Sequence, residues 1–182
     1  MGSENLTGAD NQQETPSFCN IVLDPNWIVG FVDGEGCFSV SVHRNSMMHR
    51  HGGWQLLPVF HIYQHQDHRE ILEAMVPVFG CGHIRPKGPN SSVLNYAVEG
   101  LLNLETAVLP FFERYPLVVK RSDFQSFAVI VRSMRKKEHL TSVGFERLLR
   151  LAYGMNANGK QRSRSIEQIL EGSPETVRVA PC

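Results

Sequence analysis

Trp27-Ile28-Val29-Gly30-Phe31-Val32-Asp33-Gly34-Glu35-Gly36 is the stretch on which the fold turns. It begins as helices do. Asp24 supplies an N-cap side chain, and Pro25 suits the first helical position, where no backbone donor is needed. It closes on Gly34 and Gly36, which can take the left-handed turn that ends a helix. Gly30 and Gly34 lie one turn apart on a single face, and bare glycines let a second helix approach closer than Leu or Val allows. Glu35 is delivered at the C-terminal end of that helix. Beyond it, Cys37-Phe38-Ser39-Val40-Ser41-Val42-His43 alternates as a strand does. A helix packing on its own core through its glycines is the plain alternative to a helix pair.

At 182 residues the chain fits one domain, and a hydrophobic fraction of 42% is ordinary for a globular protein. No apolar run approaches the roughly 18 residues that span a membrane, so no membrane partner is expected. Cys19, Cys37, Cys81 and Cys182 show no CxxC spacing and read as reduced thiols. Of eight histidines, seven fall between positions 43 and 83. His65 and His68 are three apart, but no second tight pair completes a tetrahedral zinc site. The net charge is zero, yet unevenly spread. Residues 26–165 hold 17 Lys and Arg against 11 Asp and Glu, while both ends are acidic. A basic body between acidic ends is compatible with a phosphate-binding surface. Residues 1–23 read as a disordered acidic leader, 24–171 as the folded domain and 172–182 as a loose tail.

Along the chain, Phe38, Val40 and Val42 share one face of the first strand, while Ser39, Ser41 and His43 share the other. A second strand from Trp54 to Gln64 puts Trp54, Leu56, Phe60 and Ile62 on one side and Gln55, Leu57, Val59, His61 and Tyr63 on the other. Asp67, with Glu70 three residues on, predicts a capped helix that Gly80 stops. A hairpin follows. His83, Arg85 and Lys87 share a face, Gly88-Pro89-Asn90-Ser91 makes the turn, and Val93 to Val98 returns with Asn95 on that same face. Pro86 marks an edge strand. Three further helices are expected: about 102–115 kinked at Pro110, one capped by Ser122, and one over about 141–153. A basic loop with Lys160, Arg162 and Arg164 then precedes a short helix from Ser165.

The first stretch, written WIVGFVDGEG, resembles the signature motif of the LAGLIDADG homing endonucleases, with Glu35 at the motif's metal-binding acid position. PFFERYPLVVKRSDF and NANGKQRSRSIEQIL resemble the family's later segments, and the strand pairs supply the expected context. The resemblance implies an α+β fold: an αββαββα core with a four-stranded curved antiparallel sheet serving as a DNA-binding saddle, followed by C-terminal helices. A single motif implies a homodimer joined through Trp27, Gly30, Phe31 and Gly34. It implies a cation, Mg2+ by preference with Mn2+ or Ca2+ able to occupy the site, held by Glu35 and the Gly34 carbonyl of each subunit. Clustered oxygens suit such hard cations. Gln64 is carried over as a water-ordering residue and Lys120 as a pocket lysine, with Arg121 as its substitute. His68 and Arg69 are either further pocket members or plain surface residues.

The implied activity is site-specific double-strand cleavage of a long, near-palindromic DNA site, leaving 3′ overhangs. The major groove admits a two-stranded ribbon and shows each base pair a distinct pattern. Ser39, Ser41, His43, Gln55, His61, Tyr63, His83, Arg85, Lys87 and Asn95 are therefore the candidate readers, unless they only solvate an open sheet face. Lys160, Arg162 and Arg164 would contact phosphates, which position without specifying. Two other functions stay open. One is an RNA-binding maturase acting on intron RNA; the other is a DNA-binding regulator without cleavage. Genes of the family sit within organellar or microbial introns, which implies an intracellular protein of a mitochondrion, a chloroplast or a microbial cytoplasm.

Overall fold

The computed structural model describes residues 21–156 and 164–171. The expectations for residues 1–20 and 172–182 lie outside that range. The order of elements is the anticipated one. Helix α1 (Pro25–Glu35) leads into strands β1 (Gly36–Arg44) and β2 (Trp54–His65), then helix α2 (Arg69–Phe79), strands β3 (His83–Pro86) and β4 (Val93–Val98), and helices α3 (Leu101–Asn103) and α4 (Leu109–Arg114). Helices α5 (Arg121–Arg135), α6 (Ser142–Gly154) and α7 (Ile166–Glu171) complete it. No described helix is long and apolar enough to cross a membrane.

The four strands form one antiparallel sheet in the order β1-β2-β4-β3. Register follows the apolar alternation. Phe38 pairs with Phe60, Phe60 with Val98, and Ile62 with Tyr96, so these large apolar residues land on one face, while Leu57 and Val59 fall among the polar residues of the other. Against that face lies an aromatic cluster. Phe38 stacks on Phe60 at 5.1 Å and meets Phe112 of α4 and Phe124 and Phe127 of α5 at 5.3–5.5 Å. Edge-to-face pairs of this kind add about 0.5–1.5 kcal/mol each beyond the area they bury. The helices are thereby stacked on one side of the sheet, and the other side is left to its polar residues.

Helix α1 starts as read: the Asp24 carboxylate accepts from Asn26 N at 2.8 Å and Trp27 N at 3.3 Å. Its end differs. No left-handed turn forms at Gly34 or Gly36; Gly36 is extended at φ −83°, ψ 162°, and α1 passes into β1 with no connecting residue. Gly36 is needed for space. A Cβ there would lie 2.6 Å from Val32 Cγ1 and 2.7 Å from the Val32 carbonyl. Two predicted caps are also corrected. Asp67 sits in a 3-10 turn ahead of α2 and pairs with His65 at 3.1 Å, and neither Asp67 nor Ser122 caps a helix, since both α2 and α5 start without a side-chain cap. Pro110 produces no simple kink. A π-helical turn at Leu104–Val108 joins α3 to α4, so the proline enters at the first turn of α4, where its missing N–H costs least. Thr141 and Ser165 do cap α6 and α7, and Gly80 ends α2 at φ 64°. Pro86 lies on edge strand β3, as anticipated.

Replacing Gly36 by Ala is expected to lower stability by about 1–3 kcal/mol, the usual cost of forcing atoms into a filled space. A urea midpoint shifted by that amount would check it, and an unchanged midpoint would show that the junction can yield.

Candidate active site and nucleic-acid interface

The end of α1 and the stretch 117–120 build the centre of the site. Ile28 and Val32 are buried, so the opposite side of α1 carries Trp27, Gly30, Phe31 and Gly34. Trp27 and Phe31 stack on each other at 4.9 Å, and a Cβ placed at Gly30 or Gly34 would meet nothing within 4 Å. The glycine face is open in the single chain. Glu35 follows, exposed, and its carboxylate makes no hydrogen bond or ion pair with the described residues.

Lys120 reaches this point from a segment distant in sequence. Its ammonium donates to the Asp33 carbonyl and, at 3.3 Å, to the Gly34 carbonyl. Its backbone N–H donates to Asp33 Oδ1 at 2.9 Å, while Val118 N–H donates to Asp33 Oδ2 at 2.8 Å. Partial burial works to raise the Asp33 carboxyl. The N–H groups of Lys120, Val118 and Val119, with the Lys120 charge, outweigh it and hold the group below its ordinary value. The contribution of Asp33 to stability is thus present above the unfolded carboxylate range and lost as pH falls through the lower folded value. Arg121, the substitute considered for Lys120, instead donates to the Leu117 carbonyl at 3.0 Å.

The structure brings Glu35, Gly34 and Lys120 together. Gln64 lies two residues beyond Ile62, the partner of Gly36, and faces Leu94 on the helix-facing side of β2, where its Oε1 accepts from His65 N at 2.7 Å. His68 and Arg69 are exposed at the start of α2, near Glu70 and Glu73 at 3.7 and 2.6 Å. No group of three or more metal-ligating side chains occurs among the described residues, the His65 and His68 pair included. The thiols of Cys37 and Cys81 are free, and burial pushes both above their ordinary value.

All ten predicted readers share the polar face of the sheet by register: Ser39, Ser41 and His43 on β1; Gln55, His61 and Tyr63 on β2; Asn95 on β4; His83 and Arg85 on β3, with Lys87 just past its end. They are not equally available. Ser41, His43, His83, Arg85 and Lys87 are exposed, whereas Asn95 is buried and accepts from His61 Nδ1 at 3.1 Å. Asn95 therefore orients a neighbour rather than reaching outward. Ser39 Oγ donates to the Val59 carbonyl at 3.2 Å. Lys87 Nζ lies 4.8 Å over the Tyr63 ring, and Arg85 donates to Glu99 at 3.0 Å. Glu99 was missed, although it continues the odd-numbered face one residue beyond β4. Asp33 was missed too, and its location inside the motif was the only signal. Arg164 lies 5.4 Å over the Trp54 ring, at the end of β2 that pairs with Arg44. Lys160 and Arg162 lie outside the described residues.

Burial holds the His61 ring below its ordinary value; the Asn95 bond opposes this, while Arg85 and His83 add to it and Glu99 works against it. An unfolded histidine takes up a proton below about pH 6.5, and folded His61 resists doing so, so stability falls as pH drops through that value. His61→Gln is expected to reduce the loss of thermal stability between about pH 7 and about pH 5.5. Melting curves across that range check it, and identical pH slopes in the two proteins would contradict it.

Comparison with known proteins agrees with this geometry. The family profile described as LAGLIDADG endonuclease matches residues 28–131. The crystal structure of the homing endonuclease I-TnaI is 38% identical, with a TM-score of 0.72 over 83% of this chain and 98% of that one. The archaeal intron-encoded homing endonuclease I-Vdi141I, solved in complex with DNA, is 31% identical, with a TM-score of 0.73 over 81% of this chain and 92% of its own. Homing endonuclease I-ApeII of Aeropyrum pernix is 28% identical over 159 residues, covering 85% of this chain and 93% of its own. Motif, sheet order and site geometry all lead to one assignment: the chain belongs to the LAGLIDADG endonuclease family.

Proposed function

We propose that the protein is a site-specific endonuclease that cuts both strands of a long, near-palindromic DNA site, working as a homodimer and leaving 3′ overhangs. The observation that carries this is the juxtaposition at the end of α1: an exposed carboxylate without a described partner, beside carbonyls that already receive a cationic Lys120. Support for the dimer comes from the open Gly30 and Gly34 face, flanked by the stacked Trp27 and Phe31. Among the described residues Glu35 is the one carboxylate at this point not already engaged, since that of Asp33 accepts from Val118 and Lys120, so a second copy completes the set.

The donor set fits a hard divalent cation. Carboxylate and carbonyl oxygens are what Mg2+ takes, and the Gly34 carbonyl is already polarised toward positive charge. Glu35 and the Gly34 carbonyl of each subunit would hold it. When bound, such an ion lowers the pKa of a water and stabilises charge on phosphate oxygens. This chain's own residues do the rest. Lys120 places a positive charge where the attacked phosphate gains negative charge, which is worth most in a site poor in water. The polar sheet face lies in the major groove and sets which phosphate arrives there. Ser41, His43, His83, Arg85 and Lys87 are the exposed ones among its candidate readers.

The experiment is incubation with Mg2+ and a randomised duplex library, followed by sequencing of cut ends. Cleavage that disappears in Glu35→Gln while DNA binding survives is the expected result. Joint loss of both would contradict the role given to Glu35. Binding without cuts would turn the reading to a regulator, and selective retention of a structured intron RNA would turn it to a maturase. Gly30→Leu is expected to convert the dimer to monomer in sedimentation, and a retained dimer would place the interface elsewhere.

A further inference from the structure

We infer that Asp33 is the positioning residue of the site: its carboxylate clamps the 117–120 stretch onto the end of α1 and so fixes where the Lys120 ammonium can stand. This rests on the nuclease reading for its effect on rate, though not for the clamp itself. The clamp is two-pronged, with one carboxylate oxygen on Val118 N–H at 2.8 Å and the other on Lys120 N–H at 2.9 Å. Two charge-assisted bonds to one planar group fix direction as well as distance.

The need for a clamp is visible in the packing. Leu117 is buried, but Val118 and Val119 are 75% and 76% exposed, so apolar burial does not hold the stretch between Leu117 and α5. Its backbone is secured by the donation to Asp33 instead. Lys120 is then tied at both ends to the same turn of α1, through its N–H to the Asp33 carboxylate and through its ammonium to the Asp33 and Gly34 carbonyls. A long flexible side chain becomes a charge at a set place beside Glu35. Both carboxylate oxygens of Asp33 are taken up by the Val118 and Lys120 N–H groups, so it acts through Lys120.

The test is a double-mutant cycle on single-turnover cleavage at saturating enzyme, with Asp33→Ala, Lys120→Met and the pair. Lys120→Met is expected to slow cleavage by about 10²–10³-fold, as loss of a charge-stabilising donor does, and Asp33→Ala by more than tenfold. In the Lys120→Met background, Asp33→Ala should cost no more than about twofold, since its effect has nothing left to act through. Affinity of Asp33→Ala for the DNA site should not change. Fully multiplied losses, or a loss that appears in DNA affinity instead of rate, would overturn the proposal. Asp33→Asn keeps the volume and one acceptor, so it carries the cycle should Asp33→Ala not fold; it is expected to fall between wild type and Asp33→Ala. Amide hydrogen exchange gives a readout independent of cleavage. Val118 and Lys120 should exchange faster in either variant, and unchanged protection there would refute the clamp. Wild-type protein that cuts no DNA would overturn the nuclease reading alone, with exchange still deciding the clamp.

Discussion

The passage from α1 into β1 without a connecting residue is the constraint on which the site depends. Glu35 is the last helical residue and Gly36 the first of the strand, so the helix cannot swing without pulling the sheet with it. Val32 fills the place that a side chain at Gly36 would need, and Ile28 and Val32 fasten the helix to the core. An ordinary loop here would leave Glu35 free to wander by several ångströms. Since catalytic geometry tolerates about an ångström of error at most, a loopless junction is a direct way to hold an acid at the rim of a sheet.

Much of the fold was legible because two periodicities dominate it. Alternation in β1, β2 and β4 told which residues face the helices, and pairing then had a single register that kept Phe38, Phe60 and Val98 together. Alternation gives side and not depth. Asn95 was placed on the correct face, but β4 lies between β2 and β3, and its neighbours bury it. Helix starts were harder to read. Asp67 and Ser122 have good capping chemistry, yet Asp67 engages His65 and α5 opens one residue before Ser122. At Pro110 the chain had an option that simple helical spacing does not reveal, a π turn that moves the proline to a tolerated position.

The partners of the site were the least legible part. Asp33 and Lys120 are 87 residues apart, and nothing local to either announces the bond. Glu35 stands out in the motif by its ligand chemistry, whereas Asp33 has a structural partner that only folding reveals. Glu99 was hidden for a similar reason. It falls outside β4, and its meaning comes from Arg85 across the hairpin. The same pairing qualifies the reading of the polar face: Arg85 with Glu99, Lys87 with Tyr63 and His61 with Asn95 are already engaged. Side chains arranged before a ligand arrives lose less freedom on binding, which favours discrimination over brute attraction and suits a chain of zero net charge.

Metal and dimer are linked by electrostatics in the proposed assembly. The C-terminal end of a helix carries partial negative charge from its unpaired carbonyls, and Glu35 adds a full one. Lys120 is the cation that the described structure sets against that group in each chain. Bringing two such ends together through a glycine face concentrates like charge where the helices meet. Small residues permit the approach but do nothing to offset the repulsion. Cations between the paired carboxylates would do so, and the phosphate then drawn to them brings its own negative charge within reach of both lysines. The open glycine face, the acid without a described partner and the tethered lysine thus make sense together in that proposal, as parts of a site whose charges would balance only when two copies, cations and DNA meet.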